Sequence, residues 1–416
     1  MRSFFKIFFA SLLSLIVFCL IGFFVLVALA GSLSQKEKER IDSKTVLMLD
    51  LSQHFSEQEE NDPLSEITGD DNTPGLYDAV RIIRHAKGDK NISGIYIVAN
   101  GNNNGFASSE EIRNALLDFK TSKKFVIAHG DMITQNAYFI ASAADKVYAN
   151  PVGVVDWSGF SSQLFFIKGT LEKLNIEPQI FYAGKFKSAT EPLRAEKMTP
   201  ENREQTIEWL GDLYQYFLQR TGEARGIDTA TLHNLANTAA IQLPKDALQH
   251  RLVDGLKYDD EIKDEFKKSM GLGKYDKLNM VSMKAYGDAV NFAATGSGRI
   301  AVVYAEGNIV DGEGANDAIG GDRFRKIIRR VRLDKSIKAI VLRVNSGGGS
   351  ALASENIWRE IELAKKDKPV VVSFGDVAAS GGYYIGCGAD SIFASRNTIT
   401  GSIGVFGIIP NMQGFF

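Results

Sequence analysis

Cysteine, proline and histidine are all scarce in this chain of 416 residues, which carries 2, 9 and 5 of them respectively. With one cysteine, Cys19, inside an apolar N-terminal run and the other at Cys387, a disulfide scaffold is excluded. Neither sign of charge is in excess: 48 Lys and Arg against 50 Asp and Glu leave a net charge of −2. No nucleic-acid partner is therefore expected, since such partners call for a basic surface. Charged residues make up 24% and hydrophobic residues 44%, which excludes bulk disorder and collagen-like sequence. Walker-type loops, dinucleotide fingerprints and metal-ligand clusters are also missing from the sequence, so no cofactor and no metal are expected. Glycine is the exception to this scarcity. It reaches 39 residues and gathers towards the C-terminus.

Residues 7–30 contain no charge. As a helix rising 1.5 Å per residue this run spans about 36 Å, enough to cross a hydrocarbon core of roughly 30 Å. Arg2 and Lys6 precede it and, by the positive-inside rule, hold the N-terminus in the cytoplasm. Ala28-Leu29-Ala30 resembles a cleavage site, so a cleaved signal peptide is the competing reading. Both readings put the rest of the chain outside the cytoplasm. Residues 35–40 read as a solvated, charged linker.

The remainder is organised by an internal repeat. Residues 82–149 align without a gap to 327–394, with nearly a third of the positions identical. Asp89-Lys90 pairs with Asp334-Lys335, Asn100 with Asn345, Gly130-Asp131 with Gly375-Asp376, and Ala144-Asp145 with Ala389-Asp390. Within each copy, apolar strand patterns alternate with helical ones, which predicts an α/β fold with a largely parallel sheet. The boundaries expected are a tip, anchor and linker over 1–43, a first domain over 44–296 and a second over 297–416. Phe416 maps onto Leu171, so the second domain is expected to be incomplete, and the chain as it stands is expected to be inactive.

The two copies diverge at two places. The turn Asn345-Ser346-Gly347-Gly348-Gly349-Ser350 in the second copy stands against Asn100-Gly101-Asn102-Asn103-Asn104-Gly105 in the first. Adjacent glycines let backbone N–H groups converge on a developing oxyanion, although a flexible turn would look the same. Ser380, followed by Gly381 and Gly382, stands against Gln135. A serine at the start of a helix suits a nucleophile and equally a helix cap. All five histidines lie in the first copy, and none is placed for a Ser-His-Asp triad. A lysine of depressed pKa is the other route to a base, but composition does not choose among the lysines.

The NSGGGS turn, AASGGYY around Ser380 and TGSIGVFG at 400–407 together resemble the signal peptide peptidase A family, also called protease IV, in its long form with two tandem domains. The resemblance runs over essentially the whole chain. It implies two Clp protease/crotonase-like domains after a transmembrane helix. It also implies a serine endopeptidase with a Ser-Lys dyad, which degrades cleaved signal peptides and other extended apolar peptides. By this resemblance Ser380 is the nucleophile and Lys187, in Lys185-Phe186-Lys187-Ser188-Ala189-Thr190-Glu191-Pro192, is the general base and acid. Lys185 is the nearest rival, expected on the opposite face of an extended segment. Gly348, Gly349 and Gly381 are expected to supply oxyanion donors, and Ser402 to orient the lysine. One departure stands out: Gly347 occupies the place where the family typically has proline.

The resemblance further implies a homo-oligomer in the inner membrane, with its catalytic domains on the periplasmic side. The alternatives are a non-catalytic membrane scaffold and a crotonase-like acyl-CoA enzyme. An extracytoplasmic address, where CoA is absent, argues against the latter. Acylation of the serine by an activated phosphonate separates the peptidase from both.

Overall fold

The computed structural model describes residues 2–33, 41–59, 73–290, 292, 296 and 298–416. The linker expected at 35–40 lies outside them. Helix α1 (Arg2–Leu33) comes first. Its stretch Phe4–Val25 has a mean hydropathy of 2.7 and buries nothing against the rest of the chain. A helix this long and apolar is compatible with a membrane anchor.

The first module opens with β1 (Thr45–Asp50), α2 (Leu76–Gly88), β2 (Ile92–Val98), α3 (Phe106–Lys120), β3 (Phe125–Ile133), α4 (Gln135–Ala141) and β4 (Lys146–Val155). It continues through α5 (Lys168–Lys173), β5 (Glu177–Tyr182), α6 (Glu191–Arg194), α7 (Pro200–Arg225), α8 (Thr229–Asn237) and α9 (Pro244–Gln249). It closes with β6 (Gly255–Leu256), α10 (Asp259–Ser269), β7 (Asn279–Ser282) and α11 (Met283–Ala289). The second module holds β8 (Arg299–Glu306), β9 (Asn308–Val310), β10 (Ala318–Gly320), α12 (Gly321–Leu333), β11 (Ile337–Ser346) and α13 (Ala351–Lys365). Then follow β12 (Val370–Ala379), α14 (Gly381–Gly386), β13 (Ser391–Phe393), β14 (Ile399–Gly401) and β15 (Phe406–Asn411).

Each module is built on a parallel sheet, ordered β6-β4-β3-β2-β1-β7 in the first and β13-β12-β11-β8 in the second, with β14 also paired to β12. The strands read as continuous apolar runs because helices cover them. In α3, Ile112, Ala115, Leu116 and Phe119 recur at three- and four-residue spacing and are all buried. Their counterparts Ile357, Glu360, Ile361 and Ala364 line the buried side of α13. Shared residues do shared work. Asp145 Oδ2 accepts the Val126 N–H at 2.8 Å, and Asp390 Oδ2 accepts the Val370 N–H at 2.8 Å.

The alignment of the copies is not gapless in space. Lys124 Nζ donates to the carbonyls of Ala86 and Asp89, and Lys368 Nζ donates to those of Val331 and Asp334. Lys368 is thus the partner of Lys124 rather than of Lys123. The second copy is one residue longer between Lys368 and Gly375, and the ladder of β12 to β11 shifts register beyond the Val344–Phe374 pair. A register shift of this kind marks a β-bulge, which bends the strand, here just ahead of Ser380.

The modules meet around a buried arginine. Arg343 Nε donates to Glu57 Oε2 at 2.8 Å, and its Nη2 donates to Glu111 Oε1 at 2.8 Å. Both carboxylates come from the first module. The Glu57 N–H in turn donates to Glu306 Oε2 of the second at 2.9 Å, while Glu57 Oε1 is buried without a partner among the described residues. Burial outweighs the Arg343 charge and pushes the Glu57 carboxyl up from 4.5 to about 7. The folded chain therefore holds a proton that the unfolded chain has released. The stability this brings is fully present below about 4.5 and lost as pH rises through about 7. Glu57→Gln stays neutral and removes this dependence. The difference between its melting temperature and that of the wild type should shift in favour of the variant as pH rises from about 5 to about 7. A margin that does not change with pH would refute the assignment.

Candidate active site

Strand β12 ends in a sharp turn at Ser380, whose φ of 53° and ψ of −119° are unusual for a non-glycine residue. Backbone in such a region costs on the order of 1–3 kcal/mol and persists only where its surroundings impose it. Here the Ser380 N–H donates to the Gly401 carbonyl at 2.9 Å, and the Ser380 carbonyl accepts the Tyr384 N–H at 2.9 Å. The turn leaves Ser380 half-buried at the start of α14.

The glycine turn lies beside it. Ser346 Oγ donates to the Gly307 carbonyl at 2.7 Å and accepts the Gly348 N–H at 3.0 Å. This corrects the expected donor set: the Gly348 N–H is already engaged within the turn. Among the described residues, the N–H groups of Gly349 and Gly381 have no protein acceptor. Gly349 has a φ of +154°, and a Cβ there would fall 2.0 Å from the Ile309 carbonyl oxygen. Only glycine fits at that position. A Cβ at Gly347, by contrast, would meet nothing within 4 Å. The Ser346 hydroxyl ties the turn, a role that the sequence reading missed.

The lysine arrives from the other module. Strand β5 pairs antiparallel with β15, from Tyr182 opposite Phe406 to Glu177 opposite Asn411. The chain then turns at Gly184, whose φ is +85°. Lys185 is exposed, whereas Lys187 is only 4% exposed. The reason for this separation differs from the one expected. Residues two apart on an extended strand share a face, and it is the turn that parts the two lysines. Lys187 Nζ lies 3.2 Å from Ser380 Oγ, 2.6 Å from the Ser402 carbonyl oxygen and 3.0 Å from Ser402 Oγ. Burial lowers its pKa below the ordinary lysine value, as expected when the charged form is desolvated. Its loop is pinned by Glu191, which is fully buried. Glu191 accepts from Asn202 Nδ2 at 2.8 Å and from the Thr199 hydroxyl.

A cavity of about 660 Å³ opens over Ser380, walled by Gly349, Gly381, Tyr383, Tyr384, Ile403, Val405 and Phe406. Its largely apolar walls, with the hydroxyls of Ser350, Ser354 and Ser380 among them, suit a ligand site. Among the described residues no cluster of His, Cys, Asp or Glu is gathered to hold a metal.

The first copy is filled at the same place. Gln135, opposite Ser380 in the repeat, donates from Nε2 to the Gly159 carbonyl at 2.9 Å and accepts the Gly159 N–H at 2.9 Å. Gly159 corresponds to Gly404. Trp157 occupies the Ser402 position, buried to 3% exposure, with its Nε1 donating to the Leu232 carbonyl. Side chains close there what the second copy leaves open.

Comparison with known proteins identifies one family. The model of peptidase family S49 matches residues 118–273 and 362–416, which include Ser380, Lys187 and Ser402. A Salmonella typhi protein named Protease 4 is 40% identical over 81% of this chain and 56% of its own length. Its Haemophilus influenzae namesake is 34% identical over 94% of this chain and 67% of its own. A chloroplastic serine protease SPPA of Arabidopsis thaliana is 34% identical over 76% and 48%. The chain thus spans about half to two thirds of the length of these curated relatives. Likeness to solved structures is slight: a membrane-bound stomatin-specific protease is 12% identical, with a TM-score of 0.29 over 58% of this chain and 91% of its own. The family model and the relatives together establish that this chain belongs to peptidase family S49.

Proposed function

We propose that this chain carries the reactive centre of a membrane-anchored serine endopeptidase, with Ser380 as nucleophile and Lys187 as general base. The observation that carries the reading is a buried amine 3.2 Å from a serine hydroxyl, with no carboxylate paired to it among the described residues. A neutral amine has two N–H donors and one lone pair. The donors suit the Ser402 carbonyl and hydroxyl, which leaves the lone pair for the Ser380 O–H.

In this mechanism Lys187 takes the Ser380 proton as Oγ attacks the peptide carbonyl. The N–H groups of Gly349 and Gly381 receive the oxyanion. Protonated Lys187 then gives its proton to the leaving amine, and water, deprotonated by the same lysine, releases the acyl group. Substrates in this reading are extended apolar peptides, cleaved signal peptides among them, which the largely apolar cavity wall suits. Arg2 and Lys6 at the head of α1 favour a cytoplasmic N-terminus, with both modules on the periplasmic side of the inner membrane. Assembly into a homo-oligomer belongs to the same reading.

In the full-length gene product, assayed in detergent on an unstructured apolar peptide, Lys187→Ala should lower kcat about a thousandfold or more, while Lys185→Ala should stay near wild type. Activity retained in folded Lys187→Ala would refute the dyad. The rate should rise with pH as Lys187 loses its proton, at a midpoint below the ordinary lysine value near 10.5. A rate that falls or stays level across that range would assign the base elsewhere.

A further inference from the structure

Helix α3 lacks a side-chain cap of its own. Its N-cap residue is Gly105. The cap comes instead from the second module: Asp376 Oδ1 accepts the N–H groups of Ala107 at 2.8 Å and Ser108 at 2.9 Å, and Oδ2 accepts the Ser108 hydroxyl at 2.5 Å. A carboxylate on the first amides of a 15-residue helix satisfies donors that are otherwise orphaned and meets the positive end of the helix dipole. Glycine at 105 is what admits it, since a Cβ there would fall 2.2 Å from Asp376 Cγ.

The other copy is built differently. Helix α13 is capped in its own chain segment by Ser350, the counterpart of Gly105, whose side chain accepts the Ala353 N–H. Asp131, the counterpart of Asp376, is exposed and, among the described residues, its side chain accepts only from Asn150 Nδ2 at 2.7 Å. The capping carboxylate has thus been exchanged between modules at one end of the pair alone.

We propose that Asp376 is a positioning residue for the reactive pair, an inference that rests on the reading of Ser380 and Lys187 given above. Asp376 lies four residues before Ser380 on the same strand, so fixing its carboxylate fixes the register of the serine turn on the first module. The same end of α3 also grips the lysine side. Glu110 accepts from the Tyr216 hydroxyl of α7 and, with its other oxygen, from Ser395 Oγ at 2.5 Å and Asn397 Nδ2 at 3.1 Å. Helix α7 in turn holds the lysine loop through Asn202 and Glu191. The first turns of α3 therefore reference both halves of the site to one rigid helix end.

Capping and positioning separate in a set of variants of the full-length gene product: Asp376→Ala, Gly105→Ser, the two combined, and Asp131→Ala as a control. The readouts are kcat, KM and the pH–rate profile on an apolar peptide, with amide hydrogen exchange across 105–111. Asp376→Ala should lower kcat about tenfold or more with a smaller effect on KM, because sub-ångström misplacement of reacting groups is costly. Its pH–rate midpoint should move up, towards an ordinary lysine, and α3 should lose protection in its first turn. Gly105→Ser alone should resemble it in rate and pH profile, since its Cβ displaces the carboxylate, while the new hydroxyl caps α3 and keeps its first turn protected. In the double variant the serine caps α3 as Ser350 caps α13, so exchange protection should return while the rate and the pH profile stay altered. Asp131→Ala should match wild type. A wild-type rate and profile in Asp376→Ala, or their recovery in the double variant, would reduce Asp376 to a helix cap and overturn the proposal. Ser380→Ala, run alongside, reports on the underlying reading. If it stays active the dyad itself fails, and if it is dead while Asp376→Ala is normal, only the positioning role fails.

Discussion

An amine without a counter-charge is the constraint on which the rest of this molecule depends. Water solvates a lysine ammonium strongly, and an apolar site withdraws that solvation, so the neutral form gains ground. A carboxylate within reach would undo the effect by favouring the charged form. The structure meets both conditions at Lys187. Its side chain is buried, its contacts are the carbonyl and hydroxyl of Ser402 and the hydroxyl of Ser380, and the nearby Glu191 is turned away to Thr199 and Asn202. Such a pocket must be assembled from several directions at once, and it is the joint between two modules that supplies them.

The internal duplication explains how the joint arose from a simple plan. Two α/β modules share their strand order, their helix faces and small details such as the Asp145 and Asp390 contacts. They differ where chemistry would occur. Gln135 spans to Gly159 and Trp157 fills the space beside it, so the first copy is closed with ordinary core and amide interactions. The second copy keeps short side chains at the matching positions and leaves a cavity.

Much of this was legible in sequence because it rests on local pattern. The repeat, the alternation of strand and helix, the membrane-length run and the contrast between Ser380 and Gln135 are all features of neighbouring residues. What escaped depends on contacts between distant segments. The turn at Gly184, not strand alternation, buries Lys187 and exposes Lys185. The hydroxyl of Ser346, not a proline, ties the glycine turn and engages the Gly348 N–H. The extra residue before Gly375 hid inside an alignment that looked gapless, since identities on either side of it are strong. Asp376 read as a conserved element of the repeat, although its partner lies more than two hundred residues away in a helix of the other module.

The antiparallel pairing of β5 with β15 also fixes an order of events in biosynthesis. Tyr182 leaves the ribosome long before Phe406, its partner in the ladder. At roughly 5–20 residues per second the interval is about 10–45 s. Until β15 closes on β5, Lys187 lacks the Ser402 and Ser380 contacts that it makes in the folded chain. On the reading proposed above, Lys187 and Ser380 meet only when β15 closes on β5 across the joint, so the order of folding sets when the pair can form.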